Sequence, residues 1–192
     1  YKDLLAMNEI RRPILLEKLL IALALQVGSE VSYNEVAQTI GTDNKTVEKY
    51  IDLLEKCYVI FRLNAFNRNL RTELKKSKKI YFYDNGIRNA VIQNFAPLSL
   101  RQDTGALWEN FFISERIKAN HYNGNYAKSF FWRTTQQQEI DYIEEADGNF
   151  TAFEMKWNPN KRPITFPSPF LNNYPVKETV VITPENYLEW VM

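Results

Sequence analysis

The four residues Ala146-Asp147-Gly148-Asn149 constrain this chain more than any other stretch, because Asp-Gly between two alternating segments is a strong short-range signal for a β-hairpin. The flanking runs are Glu139 to Glu145 and Phe150 to Trp157. With Asp147 and Gly148 as the loop, Ala146 faces Asn149. Counting outward in antiparallel register then puts Asp141 opposite Glu154 and Glu139 opposite Lys156. Residues two apart on a strand point the same way, so all four charged side chains are predicted on one sheet face. Opposed carboxylates have Cβ atoms about 5 Å apart and repel unless something cancels their charge. A divalent cation would cancel it, and oxygen-only ligands completed by water suit Mg²⁺ or Mn²⁺ rather than zinc. Lys156 beside them is placed to orient or deprotonate a water, or to stabilise charge growing on a phosphoryl group. The competing reading of the same spacing is a solvent-facing strand, with Glu139 and Lys156 in a surface ion pair and the other two acids hydrated.

Bulk composition narrows the alternatives. A chain of 192 residues that is 45% hydrophobic and 14% aromatic has ample material for packed cores, as one domain or two small ones. Its 24 basic and 23 acidic residues nearly cancel, so affinity for nucleic acid or membrane must come from local patches. The lone cysteine, Cys57, has no partner for an internal disulfide, which fits a reducing, cytoplasmic setting. The single histidine, His121, excludes sites built on paired imidazoles and reads as a surface residue at a helix end. The longest apolar run, Leu19 to Leu25, is too short to span a bilayer, so no membrane partner is expected. The start, Tyr1-Lys2-Asp3, lacks an initiator Met and a signal-peptide pattern and is expected to be the cut edge of a longer protein.

Residues 1–95 read as a winged helix-turn-helix segment. Ile14, Leu15, Leu19, Ile21, Ala22 and Leu25 predict a mostly buried helix opened by Pro13 and closed by Gly28. Ser32 caps a short helix, Tyr33 to Ile40, that stops at Gly41. Thr42 or Asp43 caps a third, in which Val47, Tyr50, Ile51 and Leu54 make one apolar face. The runs Tyr58 to Leu63 and Lys79 to Tyr83 then predict a two-stranded wing. Its basic residues, Arg62, Arg68, Arg71, Lys75, Lys76, Lys78 and Lys79, are the candidate phosphate contacts. The third helix carries Lys45 and Lys49 but also Glu48, Asp52 and Glu55, which a phosphate backbone would repel. A packing or protein-contact module is the alternative, and these acids disfavour a transcriptional regulator.

Residues 96–192 read as an α/β (α+β) domain after an aperiodic, Pro-containing boundary at Asn94 to Ser99. Asp103 or Thr104 caps a helix whose broad apolar side of Leu107, Trp108, Phe111, Phe112 and Ile113 is interrupted by Glu109 and Glu115. Ser129 to Thr134 is strand-like, and Thr179 to Thr183 is fit for a buried parallel strand completing a mixed sheet. Trp108, Trp132 and Trp157 read as core anchors, and Lys161-Arg162 sits in a Pro-rich loop beside the last hairpin strand.

Glu109 on a helix, Asp141 in Glu139-Ile140-Asp141-Tyr142, and Phe153-Glu154-Met155-Lys156 together resemble the PD-(D/E)XK nuclease superfamily. That resemblance implies a mixed sheet flanked by helices, with Asp141 and Glu154 binding Mg²⁺ or Mn²⁺, Glu109 joining the metal shell, and Lys156 assisting the attacking water. Two departures stand out: Ile140 where many members have Pro, and the undiagnostic Met155. With Tyr81-Phe82-Tyr83-Asp84-Asn85-Gly86 and Gly105-Ala106-Leu107-Trp108-Glu109-Asn110, the chain from Pro13 onward resembles the C-terminal half of bacterial and archaeal AAA-type ATPases carrying a nuclease-like domain. The resemblance implies an upstream ATPase domain as partner. No P-loop sequence lies in this chain, so no ATP site of that kind does. The expected function is a metal-dependent phosphodiesterase acting on nucleic acid, or alternatively a weakly active or inactive regulatory, partner-binding module of the ATPase.

Overall fold

Pro at a first helical turn loses no hydrogen bond, and Pro13 opens α1 (Pro13–Leu25) in this computed structural model, which describes residues 12–67, 77–158 and 164–192. The buried face of α1 is Leu15, Leu16, Leu19, Leu20, Ala22, Leu23 and Ala24, whereas Ile14, Ile21 and Leu25, expected inside, are exposed. Ser32 caps α2 (Tyr33–Ile40), and Gly41, at φ 75°, ends it. Asp43 caps α3 (Asn44–Lys56) through a 2.9 Å bond from Thr46 N.

Two antiparallel strands follow, β1 (Ile60–Ala65) and β2 (Lys78–Phe82). Asp84 then caps α4 (Asn85–Val91). The long helix α5 (Thr104–Tyr122) begins after a 3₁₀ turn at Leu98–Leu100. Asp103 stands at its N-cap without making a cap bond, because its carboxylate is taken by the guanidinium groups of Arg88, at 2.5 Å, and Arg101. The remaining elements are β3 (Lys128–Arg133), β4 (Glu139–Ala146), β5 (Asn149–Met155), α6 (Ser168–Asn173), β6 (Val176–Ile182) and the short α7 (Leu188–Val191).

The strands form one six-stranded mixed sheet in the order β2-β1-β3-β4-β5-β6, with β1·β3 and β5·β6 parallel. Strands from both sides of residue 96 therefore hydrogen-bond in a single sheet. The main core runs from α1–α3 through β1 and β2 to Phe112, Tyr142, Phe153 and Ile182, and a smaller cluster of Trp132, Ile140, Ile143, Phe150, Ala152 and Phe170 packs with α6. Tyr142 and Ile143 belong to different clusters, as expected for neighbours on a strand that point to opposite faces. β6 is an edge strand. Lys177, Glu178 and Thr179 are exposed, so the expectation of a fully buried strand holds only near Val180 and Ile182. Trp108 and Trp132 are buried, but Trp157 is 42% exposed and meets Trp108 edge-on. Cys57 is half-buried at the end of α3, and His121 is exposed in the last turn of α5.

Phe153 is the hub of the main core, fully buried among Phe112, Tyr142 and Trp190 with ring centroids 5.9, 5.6 and 5.1 Å away. Phe153→Ala deletes that hub and is expected to cost about 3–5 kcal/mol in urea unfolding. A loss below about 1 kcal/mol would contradict this packing scheme.

Candidate functional site

Asp147 and Gly148 both adopt positive φ, 50° and 76°, the twist a two-residue hairpin loop needs. The β4–β5 register runs as the sequence predicts, from Ala146–Asn149 to Tyr142–Phe153. Beyond that point β4 departs from regular pairing. Against β3, Ile143 pairs with Phe130 and Ile140 with Trp132, so Asp141 and Tyr142 together stand opposite the single Phe131. This is a β-bulge, which breaks the alternation of side chains and re-aims them. Asp141 turns one carboxylate oxygen, Oδ2, onto the backbone N–H of Met155 at 3.0 Å, replacing a ladder bond with a side-chain bond.

The bulge also separates the pair Glu139 and Lys156, which were expected to face each other. Glu139 pairs in the ladder with Arg133, and its carboxylate lies 2.5 Å from Lys79 Nζ and 3.6 Å from Arg133 Nε. Lys156 Nζ instead donates to Glu154 Oε2 at 2.8 Å and lies 3.9 Å from Asp141 Oδ2. Glu109, from α5, enters the same neighbourhood: Oε1 accepts from Tyr81 Oη at 2.6 Å and from Lys79 Nζ at 3.2 Å. Glu109, Glu139, Asp141 and Glu154 thus belong to one electrostatic cluster with Lys79 and Lys156.

Lys79 was expected on an exposed wing. It is 2% exposed instead, because β2 is covered by α5 and carries the lysine beneath Glu109. Arg62, also expected to face phosphates, is bound to Glu55 and to Asp52 at 2.8 Å, so two acids of the third helix spend their charge on it. Lys78 lies 4.9 Å above the Tyr33 ring. Arg68, Arg71, Lys75, Lys76, Lys161 and Arg162 lie outside the described residues.

Charge in the cluster is incompletely balanced. Burial, and then the Asp141 carboxylate, pushes Glu109 up to about 7 despite Lys79 and Tyr81, and the same two causes push Glu154 up to about 7 despite Lys156. Burial would lower the Lys79 ammonium, but Glu109, Glu139 and Asp141 hold it above the ordinary lysine value. Lys156 is raised likewise, Glu154 and Asp141 outweighing its burial, so it is a cation at neutral pH. As they stand, no three His, Cys, Asp or Glu side chains among the described residues are grouped so as to enclose a metal ion.

Two supporting residues carry the motif positions around this site. Asn110 clasps the end of β2, accepting from Phe82 N at 2.7 Å and donating to Phe82 O at 2.9 Å, which fixes α5 and hence Glu109 against Tyr81. At Gly86 a Cβ would stand 2.8 Å from the Asp84 Oδ1 that caps α4, so a side chain there would collide with the cap.

Residues 1–98 of the 192 match the family described as a domain of unknown function (DUF8612). The chain belongs to this family. Residues 104–190 of this DUF8612 protein also match a second domain of unknown function (DUF4143), a domain found at the C-terminus of AAA-type ATPases. An uncharacterized protein of Mycobacterium tuberculosis is 28% identical over 131 residues, 67% of this chain and 29% of that protein. An uncharacterized protein of Methanocaldococcus jannaschii is 29% identical over 125 residues, 60% of this chain and 26% of its own length. An uncharacterized Bro-N domain-containing protein of Acanthamoeba polyphaga mimivirus is 28% identical over 116 residues, 59% of this chain and 56% of that protein. The matched region is thus under a third of the mycobacterial and archaeal relatives. No solved structure matches the chain. No described helix of the DUF8612 protein is long and apolar enough to cross a membrane.

Carboxyls raised from an ordinary value near 4.3 to about 7 bind protons more tightly in the folded than in the unfolded chain. Their contribution to stability is full below the unfolded value and is lost as pH rises through about 7. In EDTA, the unfolding free energy is expected to fall between about pH 5 and 8, by on the order of 2 kcal/mol, lowering the urea midpoint, and Glu109→Gln to flatten that fall. A midpoint that climbs across this window would contradict the charge balance described.

Proposed function

We propose that the cluster is a divalent-cation-dependent phosphodiesterase centre of the PD-(D/E)XK nuclease type, acting on nucleic acid. The observation that carries the reading is the meeting of Glu109 from α5, Asp141 from the bulge of β4, and Glu154 and Lys156 from β5 in one charge-deficient cluster. The sheet flanked by α5 and α6 suits that fold, and α1–α3 followed by the β1–β2 pair suits a winged helix. By the same resemblance, the unit is the C-terminal part of an ATPase whose nucleotide-binding domain lies elsewhere in the protein.

The donors fit the cation. They are hard carboxylate oxygens, and Mg²⁺ commonly takes one or two carboxylates, with waters and substrate phosphate oxygens filling the rest. An enclosing set of three side chains is not required. Asp141 and Glu154 are the holding residues and Glu109 the auxiliary one. When bound, the cation supplies charge neutralisation to a phosphodiester and acidifies a coordinated water. Lys156, a cation held 2.8 Å from Glu154, acts as a hydrogen-bond donor to a phosphoryl oxygen or a water rather than as a base. The bulge keeps Asp141 anchored on Met155 N, so its position does not depend on the cation.

One observation favours a partner-binding module without turnover: Arg62 and Lys79, two expected phosphate contacts, are committed to internal carboxylates. Calorimetry with Mg²⁺ or Mn²⁺, beside plasmid and single-strand cleavage assays, separates the readings. Asp141→Ala is expected to abolish both metal binding and cleavage. Lys156→Ala is expected to keep metal binding and lose cleavage by about 10²–10³-fold. Absence of both binding and cleavage in the wild-type chain would overturn the metal centre and shift the reading to the partner-binding module.

A further inference from the structure

Lys79 is the least exposed charged group of the cluster, and it is fixed from several sides. Its Nζ stands 2.5 Å from Glu139 Oε1, 3.2 Å from Glu109 Oε1 and 5.4 Å from the Phe131 ring centroid. A backbone bridge pairs Lys79 with Glu30, and Val31 N donates to Lys78 O at 2.8 Å. Tyr81, two residues further along β2, donates to the same Glu109 oxygen as Lys79. Gly28 closes against that carboxylate, since a Cβ at its position would lie 3.5 Å from Glu109 Oε2.

The cations divide the cluster between them. Lys156 answers Glu154 and Asp141, while Lys79 answers Glu109 and Glu139. Arg133 approaches Glu139 at 3.6 Å but pairs with Glu30 at 2.9 Å, and that couple adds no net charge. With all four carboxyls deprotonated, as binding a cation requires, four carboxylates against two ammonium groups leave two negative charges, the charge of one divalent cation. In centres with two metals, a second ion bridges neighbouring oxygens and completes the neutralisation. A buried ammonium already occupies the place between Glu109 and Glu139, and once one divalent ion has bound, no net negative charge is left for a second.

Resting on the metal-centre reading above, we propose that Lys79 is a built-in counter-cation that takes the Glu109–Glu139 side of the cluster and restricts the site to one divalent cation beside Asp141 and Glu154. Lys79 then acts through the carboxylates it holds and is a positioning residue. It belongs to the part of the chain preceding α5, so that part completes the site on which Glu109 depends.

Mn²⁺ titration, with free Mn²⁺ followed by electron paramagnetic resonance, tests the proposal on the whole chain as wild type, Lys79→Met and Lys79→Arg, with folding checked by circular dichroism. The expected result is one Mn²⁺ for the wild type, one for Lys79→Arg, and two for Lys79→Met. If Lys79→Met is unfolded without metal, Mn²⁺ is expected to fold it and to bind twice. Two ions in the wild type, or fewer than two in Lys79→Met, overturn the proposal while leaving the metal-centre reading intact. A Lys79→Met chain that stays unfolded in Mn²⁺ overturns it as well, because a cation then does not replace the ammonium. No Mn²⁺ bound by the wild type overturns the metal-centre reading itself and this inference with it.

Discussion

A lysine ammonium removed from water is costly by several kcal/mol unless opposing charges meet it with good geometry. The arrangement around Lys79 answers that constraint, and much of the fold is disposed to satisfy it. β2 delivers the lysine, α5 lays Glu109 over it, and the start of β4 supplies Glu139. Asn110, one residue from Glu109, locks α5 onto the backbone of Phe82 at the end of β2. The same contacts that bury the ammonium therefore set the height and rotation of the helix that brings Glu109 to the strands.

The second determinant is the bulge at Asp141 and Tyr142. A regular strand would have set Glu139 and Asp141 in a plain row opposite Lys156 and Glu154. Two residues opposite the single Phe131 divide that row: Glu139 goes to Lys79, and Asp141 stays at the hairpin end with Glu154 and Lys156. Bulges re-aim side chains beside reactive sites, and the anchoring of Asp141 on Met155 N holds it in place without help from a ligand. The outcome is a cluster with one side held by a buried ammonium and another, at Asp141 and Glu154, whose ammonium is half-buried, and the proposed chemistry belongs to the second.

The parts of this arrangement written in local chemistry were legible in the residue order. Asp147-Gly148 dictates its own turn, and the register follows by counting, so the pairing down to Tyr142 and Phe153 could be read directly. Ser32, Gly41 and Asp43 mark helix ends by the same local rules. The bulge could not be read, because it depends on how β3 packs across β4 and leaves no turn residue at Asp141. Lys79 was misplaced because it sits in a basic stretch, although the unbroken apolar run Ile80-Tyr81-Phe82 beside it is a signal that both faces of the strand are covered. Arg62 misled in the same way: its partners, Asp52 and Glu55, lie on the preceding helix α3, and their pairing depends on how β1 folds back along that helix.

In the proposed centre, the Lys156 side of the cluster, at Asp141 and Glu154, receives the cation. Anomalous diffraction from crystals grown with Mn²⁺, collected on either side of the manganese absorption edge, locates that ion directly. The expected result is a single anomalous peak in contact with carboxylate oxygens of Asp141 and Glu154, with Lys79 still between Glu109 and Glu139. Ordered carboxylates with no peak beside them, or a peak that displaces Lys79 from Glu109, would contradict it.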